Sequence, residues 1–366
     1  MFGNEEYKRV FVTHILSEKY IAEYQLATAG CNFSFNLMSG GAFSNVYSIL
    51  PTNIGGVINP DCFNDSRFKL VYCSFFRRFG RLGIGLASLF EQLFIFYRIQ
   101  ASSSVWLYNV TDLNIFLIWL LRIFKRNVMI NVIVLDFTPK QKMCNLYLRM
   151  INHSHGLITL SDSPLFRIDN CKLLPGVVPI NAGNEPTVTL INKRFLLSGV
   201  LSEHIAQTRM VLKAFSQLPQ CELHITGFCD DNKVIIEYAS LYPNIIYHGR
   251  VSFEDYLQIM HSCTYQLSTR DKQIPENECN FPSKIIEALL HNRAVISTIA
   301  YRQIENINYF VVDSNLNTFI KQILNIVNTK NDVLMSYVNQ GKKVSRLFST
   351  GVWETTMKEI EEYSLN

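Results

Sequence analysis

The segment Asn280-Phe281-Pro282-Ser283-Lys284-Ile285-Ile286-Glu287-Ala288-Leu289-Leu290 is followed by Ala294-Val295-Ile296-Ser297-Thr298, and together they predict a helix that leads into a buried strand. Pro282 suits the first turn of that helix, where its missing N–H group costs nothing. The start of the helix offers unpaired backbone N–H groups to an anion, beside the Ser283 hydroxyl and the Lys284 ammonium. Glu287 lies one turn further along the same face. A phosphate at the helix start and a carboxylate for sugar hydroxyls describe a site for a nucleotide diphosphate.

Strands alternate with helices along the rest of the chain, which predicts α/β architecture with doubly wound parallel sheets. The predicted strands are 10–15, 69–74, 105–109, 128–135, 156–161 and 171–174 in the first half, and 194–199, 221–227, 244–248, 264–268 and 310–312 in the second. A turn-rich stretch over residues 180–193 reads as a linker. We therefore predict one domain over 1–183, a second over 184–352, and an amphipathic helix in 353–366.

Length and composition agree with two globular domains, each with its own hydrophobic core. A chain of 366 residues of which 48% are hydrophobic has enough apolar side chains for two domains. The nine cysteines have no disulfide-like or zinc-like spacing, and His153 and His155 lack a third ligand, so we expect no metal. The first residues, Met1 to Glu6, carry acids where a secretory signal has bases and an apolar core, so we expect a cytoplasmic protein.

The segment around Pro282-Ser283-Lys284 resembles the Pro-Ser-Lys variant of the donor-site motif in GT-B glycosyltransferases of the group 1 type, family 4. Such enzymes are common in bacterial capsule and O-antigen assembly. Weaker matches stand in the family's order over nearly the whole chain, at Ala29-Gly30, 156–161, 174–176 and 197–201. The resemblance implies two Rossmann-like domains that face a central cleft, with the C-terminal helix 353–366 crossing back to the first domain.

The resemblance also assigns a nucleotide-sugar donor to particular residues. Glu287 matches the second glutamate of the family's E-x7-E motif, which usually binds the ribose. The ends of the predicted strands add further residues at the same edge of the sheet, where ligands of open parallel sheets bind. The expected donor-binding set is Gly30, Ser198, Gly199, Asn280, Ser283, Lys284 and Glu287.

Catalysis of such a transfer depends on positive charge at the departing diphosphate. We assign this role to Lys284 and Arg270, and an acceptor-side role to Asp136, which follows a predicted strand. Each assignment has a structural alternative. Lys284 can be a surface lysine and Arg270 a loop arginine, Glu287 can form a salt bridge, and Asp136 can cap a helix.

The chain departs from the family's pattern at two places. Cys279 stands where the first glutamate of E-x7-E is expected, and a thiol cannot accept two sugar hydroxyls as a carboxylate does. Glu278 or Glu276 from a shifted loop is the alternative. Val200 follows Gly199 where the family usually has a basic residue, and residues 202–204 lack its lysine. Arg270 or Lys284 must then supply the phosphate counter-charge.

The function that the resemblance implies is transfer of a sugar from a nucleotide-sugar donor to a glycan or polyprenyl-linked acceptor, with retention of configuration and without a metal. The donor phosphate itself takes the acceptor proton in this expectation. Three alternatives stay open: a nucleotide-sugar 2-epimerase of the same fold, an exported two-domain sugar-binding protein, and a catalytically silent partner that binds sugar nucleotides. We expect no nucleic-acid partner.

Two segments combine aromatic or aliphatic side chains with arginine and lysine, residues 75–98 and 113–126. Neither reaches the about 20 uncharged residues that a membrane-spanning helix needs. A helix with an apolar face and a basic border can lie in the headgroup layer. The alternative is a helix of the domain core with a solvated basic edge. The first interpretation predicts peripheral contact with the inner face of the cell membrane.

Overall fold

The structure is a computed structural model that describes residues 8–21, 23–24, 26, 28–51, 54, 56–140, 142–179, 182–183, 185–189, 191–229 and 231–365, with the backbone only at residue 278. The chain forms two compact units. Unit 1 comprises Met1–Ile180 and Ser349–Asn366, and unit 2 comprises Asn181–Phe348. These limits lie within a few residues of the domain limits drawn from the sequence.

Unit 1 is built on a seven-stranded sheet in the order β3-β2-β1-β4-β5-β6-β7, in which every neighbouring pair is parallel. The order reverses between β1 and β4, so this unit has a topological switch point at the carboxyl ends of those strands. Its strands are β1 (Lys8–Thr13), β2 (Asn45–Ile49), β3 (Lys69–Val71), β4 (Ser103–Tyr108), β5 (Met129–Val134), β6 (Gly156–Thr159) and β7 (Cys171–Leu173). Its first six α-helices are α1 (Glu18–Ile21), α2 (Thr28–Ser39), α3 (Ser74–Arg77), α4 (Gly80–Arg98), α5 (Ile115–Phe124) and α6 (Cys144–Asn152), and a 3₁₀ turn spans Pro60–Phe63.

Unit 2 has a six-stranded sheet in the order β10-β9-β8-β11-β12-β13, again with parallel neighbours throughout. Its strands are β8 (Arg194–Val200), β9 (Glu222–Phe228), β10 (Ile245–Gly249), β11 (Tyr265–Ser268), β12 (Ala294–Ser297) and β13 (Phe310–Val311). Its helices are α7 (Glu203–Ala206), α8 (Thr208–Phe215), α9 (Lys233–Leu241), α10 (Phe253–Ser262), α11 (Pro275–Cys279), α12 (Ser283–Leu290), α13 (Leu316–Val327), α14 (Asn331–Leu334) and α15 (Gly341–Phe348), with a 3₁₀ turn at Arg302–Ile304. Phe195 stacks on Tyr265 at 4.7 Å between ring centroids in the core of this unit.

The last helix, α16 (Thr350–Tyr363), packs against the sheet of unit 1. Its Glu361 is buried and accepts hydrogen bonds from Arg9 Nη2 at 2.8 Å, Ser104 Oγ at 2.6 Å and Trp106 Nε1 at 2.9 Å. A Cβ on Gly156 would lie 2.0 Å from Ile360 Cγ2, so only glycine allows the helix this close to β6. The three donors compensate the cost of burying the carboxylate, which fixes the end of the chain on unit 1.

Two parallel α/β sheets, each flanked by helices that connect its strands, confirm the predicted fold class of two doubly wound domains. The alternation predicted from the sequence did not include β2 or the helices α1, α7, α9, α11, α14 and α15. The helix and strand predicted from 280–298 are present as α12 and β12.

Candidate functional site

The candidate donor site lies at the carboxyl edge of the unit 2 sheet. Ser198 and Gly199 are near the end of β8, and α12 begins at Ser283 directly after Pro282. Pro282 has φ −75°, close to the value its ring imposes, and it stands at the N-cap. The Ser283 side chain is exposed. The start of α12 and the end of β8 therefore lie at the same edge of the sheet, since β8 pairs with β11.

Lys284 and Glu287 form a pair with a third residue, Tyr256, that the sequence analysis did not identify. The Lys284 ammonium donates to Glu287 Oε2 at 2.8 Å, and the Tyr256 hydroxyl donates to the same oxygen at 3.0 Å. The ammonium also lies 4.1 Å from the centroid of the Tyr256 ring, in cation–π contact. The lysine and glutamate side chains are 35% and 26% exposed, so the group borders solvent. We call Tyr256, Lys284 and Glu287 the Lys-Glu-Tyr group.

The protonation states of the Lys-Glu-Tyr group follow from burial and from charge. Burial, followed by the charge of Glu287, raises the pKa of Tyr256 to about 12. Burial acts to lower the pKa of Lys284, but the charge of Glu287 and contact with Tyr256 outweigh it and raise that pKa. At neutral pH the lysine is therefore a cation and the tyrosine a neutral hydrogen-bond donor.

Gly199 brings backbone close to the Lys-Glu-Tyr group. Its φ of +108° is a conformation that residues with a side chain rarely adopt, and a Cβ there would lie 4.0 Å from Lys284 Cε. Gly227 faces Gly199 on β9 with φ +142°, and a Cβ on it would lie 1.9 Å from the Gly199 carbonyl oxygen. Ser198 is also adjacent, because its hydroxyl hydrogen-bonds to Tyr256 and accepts from Gln266 Nε2 at 3.3 Å. Ser198 and Gly199, predicted from the end of one strand, thus lie beside Lys284 and Glu287, predicted from the motif at the start of α12.

Arg270 and Asn280 are in contact with each other, and both lie in the connection between β11 and α12. The Arg270 guanidinium donates to Asn277 Oδ1 and to the Asn280 carbonyl, both at 3.4 Å. The Arg270 backbone is held by Thr298, whose hydroxyl accepts from the N–H at 2.7 Å and donates to the carbonyl at 2.6 Å. Hydrogen bonds therefore hold the backbone of Arg270 in place, and its guanidinium contacts the segment before α12.

Cys279 is the last residue of α11 and is buried, with 2% of its surface exposed. A buried thiol does not replace the sugar-binding carboxylate that the resemblance places at this position. Of the two glutamates considered as substitutes, Glu276 is half-buried, and the side chain of Glu278 lies outside the described residues.

In unit 1 the predicted residues Gly30 and Asp136 lie at the carboxyl edge of the sheet, near Tyr108. Gly30 is the third residue of α2 and is buried, and a Cβ on it would lie 2.2 Å from the Tyr108 hydroxyl oxygen. Burial, and to a lesser extent the negative charge of Asp136, raises the pKa of Tyr108. Asp136 is exposed two residues after β5. Glycine at position 30 therefore makes room for Tyr108, and its predicted contact with a donor phosphate stays a prediction.

His14 belongs to the same edge of the sheet, one residue after β1. Its Nδ1 lies 2.9 Å from the Ile49 carbonyl oxygen, its Nε2 lies 3.5 Å from Thr111 Oγ1, and its ring meets that of Tyr108 edge-on at 5.9 Å. Loss of solvation on burial lowers the pKa of His14 to about 4, although the bond to Ile49 works in the opposite direction. The imidazole is neutral at physiological pH.

Two functional candidates, Tyr256 and Tyr108, carry no motif in the sequence. Tyr256 is the fourth residue of α10, so it lies in the first turn of a helix that follows β10. Tyr108 is the last residue of β4. Both positions are at the carboxyl edge of a parallel sheet. That position, after a predicted strand, is the one sequence feature that could have marked the two tyrosines as functional candidates.

The helices α3 and α4 present an exposed apolar surface. Eight side chains on it are between 42% and 86% exposed, and we call them the aromatic face: Phe75, Phe79, Leu82, Leu86, Leu89, Phe90, Phe94 and Tyr97. Arg78, Arg81 and Arg98 are exposed beside them, whereas Arg77 is buried in an ion pair with Glu91 at 2.8 Å. Among the described residues, none of the helices is long and apolar enough to cross a bilayer.

No protein-family model matches the sequence, and no curated protein matches it. Solved structures do. The N-terminal domain of a Candida albicans trehalose-6-phosphate phosphatase is 11% identical with a TM-score of 0.74, over 98% of this chain and 97% of that one. An alpha,alpha-trehalose-phosphate synthase (UDP-forming) from Burkholderia vietnamiensis is 8% identical with a TM-score of 0.63, over 97% and 100%.

A third similar structure is TarM of S. aureus, solved as a mutant with Fondaparinux, alpha-GlcNAc-glycerol and UDP. It is 16% identical with a TM-score of 0.53, over 76% of this chain and 58% of that one. At these identities the similarity shows the fold alone. That fold is GT-B, with two Rossmann-like domains.

Proposed function

We propose that this protein is a glycosyltransferase that takes a sugar from a nucleotide-sugar donor. The observation that carries the proposal is the Lys-Glu-Tyr group, in contact with Ser198 and beside the positive-φ Gly199 at the start of α12. A cation, a carboxylate and the N–H groups of a helix start at the carboxyl edge of a parallel sheet suit a sugar nucleotide. One similar structure was solved with UDP and another is a UDP-forming synthase, which supports this class of donor.

The donor-binding roles follow from the chemistry of each group. The diphosphate lies against the N–H groups and hydroxyl at Ser283 and against the backbone of Gly199. Lys284 and Arg270 supply the positive charge. Both hydrogen bonds to Glu287 end on Oε2, so we assign Oε1 to the ribose hydroxyls. Asn280 and Gly30 complete the proposed donor contacts.

The transfer step needs little covalent chemistry from the protein. A bond forms between an acceptor oxygen and the anomeric carbon, the bond from that carbon to the diphosphate oxygen breaks, and the acceptor proton passes to the departing phosphate. Retention of configuration and independence from metals are part of this proposal. Preorganised positive potential at the diphosphate is the main catalytic contribution. Asp136, exposed in unit 1, is assigned to the acceptor side.

We propose the group 1, family 4 type, with a glycan or polyprenyl-linked acceptor of the kind used in capsule or O-antigen assembly. The Pro282-Ser283-Lys284 motif supports the type. The aromatic face supports a lipid-linked acceptor, because eight exposed apolar side chains with an arginine border suit the headgroup layer of a bilayer. The proposed location is the cytoplasmic side of the membrane, in peripheral contact with it.

A catalytically silent partner that binds nucleotide sugars is the second candidate. It is favoured by the buried Cys279 at the place of a sugar-binding glutamate and by Val200 at the place of a basic residue. Such a protein would keep the Lys-Glu-Tyr group for binding and lack turnover.

Release of free nucleoside diphosphate and the fate of the sugar test the proposal. We expect release that depends on an acceptor fraction, with a drop of about a hundredfold or more in Lys284→Ala and in Glu287→Ala, since each removes an interaction with the charged donor. Lys213→Ala changes an exposed lysine on α8 and serves as the matched control. Wild-type rates in both site variants would refute the site. If the sugar nucleotide is epimerised in the absence of an acceptor, the protein is a 2-epimerase. If it binds the sugar nucleotide and forms neither product, it is a catalytically silent partner.

A further inference from the structure

Three potential metal ligands converge in unit 2, away from the candidate donor site. His261 Nε2 lies 3.0 Å from His291 Nδ1. The carboxylate of Glu185 lies 3.9 Å from His261 Nε2 through Oε2 and 3.6 Å from His291 Nδ1 through Oε1. One ligand atom from each residue lies within 4.8 Å of the other two. None of these residues has a role in the proposed transfer.

The cluster lies at the amino edge of the unit 2 sheet. His261 is near the end of α10, which precedes β11, and His291 caps α12, which precedes β12. The donor site is at the opposite, carboxyl edge, where the same helix α12 begins. A ligand at the cluster therefore binds separately from a sugar nucleotide.

A buried side chain holds the chain that carries the carboxylate in position. Asn292, at φ +62°, donates from Nδ2 to the carbonyls of Glu185 at 3.1 Å and Pro186 at 3.2 Å. Its Oδ1 accepts from the N–H of Gly341 at 2.9 Å. The backbone that carries Glu185 is thus held beside the chain that follows His291, while the His261 side chain is 40% exposed.

The spacing and chemistry of the three ligands suit a tetrahedral divalent ion. Zinc bound at about 2.0–2.1 Å holds its ligand atoms about 3.3–3.4 Å apart, and the distances between the three residues bracket that value. Two imidazoles and a carboxylate are ligands that zinc accepts, with water in the fourth position.

Other charged groups near the cluster partly oppose a cation. The Arg293 guanidinium donates to the carbonyls of His291 at 2.8 Å and of His261 and Cys263 at 3.1 Å. Glu287 adds negative charge near His291. Glu287 is itself paired with the Lys284 ammonium at 2.8 Å, so the Glu185 carboxylate is the charge that balances Arg293. Without metal, a hydrogen bond between the imidazoles accounts for the 3.0 Å contact, so only binding distinguishes the two states.

We propose that Glu185, His261 and His291 bind one zinc ion, which clips the segment that enters unit 2 to the ends of α10 and α12. The clip is structural and has no part in the transfer step. It departs from the expectation, drawn from the sequence, that the chain holds no metal. That expectation considered only ligands close together in sequence, whereas this site joins residues up to 106 apart, from 185 to 291.

Zinc titration of the tag-free, metal-stripped and reduced protein tests the site, with a chromogenic chelator as competitor. We expect one equivalent of ZnCl₂ to bind and to raise the melting temperature, with no such effect from MgCl₂. His261→Ala and His291→Ala should each weaken that equivalent by about tenfold or more, since changing even a second-shell partner costs 10–100-fold. The two histidine variants keep all nine cysteines, so a loss of zinc binding in them separates this site from binding by the free thiols.

His248→Ala is the matched control. His248 Nε2 lies 3.0 Å from His224 Nδ1, so it forms another imidazole pair in unit 2, but one outside the cluster. The control should bind zinc like the wild type. Absence of an equivalent in the wild type, equal binding by wild type and both variants, or equal loss in the control would each overturn the proposal. A failed sugar-nucleotide assay would leave it untouched, because the two sites are tested by different ligands.

Discussion

His14 gives the stability of unit 1 a pH dependence at the scale of a single residue. Its pKa is about 4 in the folded chain and about 6.5 when unfolded. Between these values the unfolded chain binds more protons than the folded chain. The free energy of unfolding therefore falls as the pH drops from 6.5 towards 4, and His14 causes no such loss above pH 6.5. We predict that the melting temperature falls less between pH 7 and pH 5 in His14→Gln than in the wild type.

Thermal unfolding of both proteins at the two pH values measures this difference. His153→Gln, which changes an exposed histidine of the same unit, is the control and should behave like the wild type. Equal pH dependence of His14→Gln and wild type would contradict the burial argument.

Several site residues were predictable one by one, and their partners were not. Lys284 and Glu287 stand in a motif whose spacing places them on one helix face, and the structure joins them at 2.8 Å. Tyr256 precedes Glu287 by 31 residues and lies on a different helix, α10, so only the folded chain brings the two side chains together. The role of Gly30 could not be predicted either, because the side chain that approaches it, Tyr108, belongs to strand β4, far from α2 in the sequence.

At the scale of whole elements, helices and strands with a strong hydrophobic period could be predicted from the sequence, and short or polar elements could not. The apolar spacing over residues 316–327 predicts a helix, and α13 spans the same residues. The strand β2 was missed because polar residues interrupt it. Its Ser48 is buried only because the hydroxyl donates to the Ile15 carbonyl at 2.6 Å. The helices α14 and α11, of four and five residues, are too short for a periodic pattern.

The helix α4 leads to a prediction at this scale. One side of it packs inward through Ala87, Glu91 and Ile95, while the aromatic face is exposed. We predict that the protein floats with lipid vesicles, more strongly when they contain anionic lipid, since each arginine near an anionic surface contributes about 1 kcal/mol. Phe79→Ser combined with Leu82→Ser should abolish flotation, and Arg81→Glu should weaken it on anionic vesicles only.

Leu241→Ser removes a side chain of unit 2 that is 64% exposed and provides the control for the vesicle measurement. It should leave flotation unchanged. Absence of wild-type flotation with anionic vesicles, or equal flotation of the double variant, would contradict the role assigned to the aromatic face.

At the scale of the whole molecule, the architecture was more predictable than the function. Alternating strands and helices on both sides of a turn-rich stretch indicated two parallel sheets, and the order of the strands in the structure agrees with that expectation. The similar structures extend this agreement to the fold, at identities of 8–16%. Donor, acceptor and linkage depend on a few pocket contacts, which neither periodicity nor fold similarity specifies.

Binding of sugar nucleotides to the intact protein tests the central proposal most directly. A thermal-shift panel of UDP-, GDP-, ADP-, CMP- and dTDP-sugars, each with and without EDTA, should give a shift for one base class. A ligand at 100 times its Kd stabilises by about 2.7 kcal/mol, which corresponds to about 5 °C or more. The nucleotide-dependent shift should be the same in EDTA, vanish in Lys284→Ala and persist in Lys213→Ala. Absence of a shift with all five, or an undiminished shift in Lys284→Ala, would contradict a nucleotide-sugar site at the start of α12.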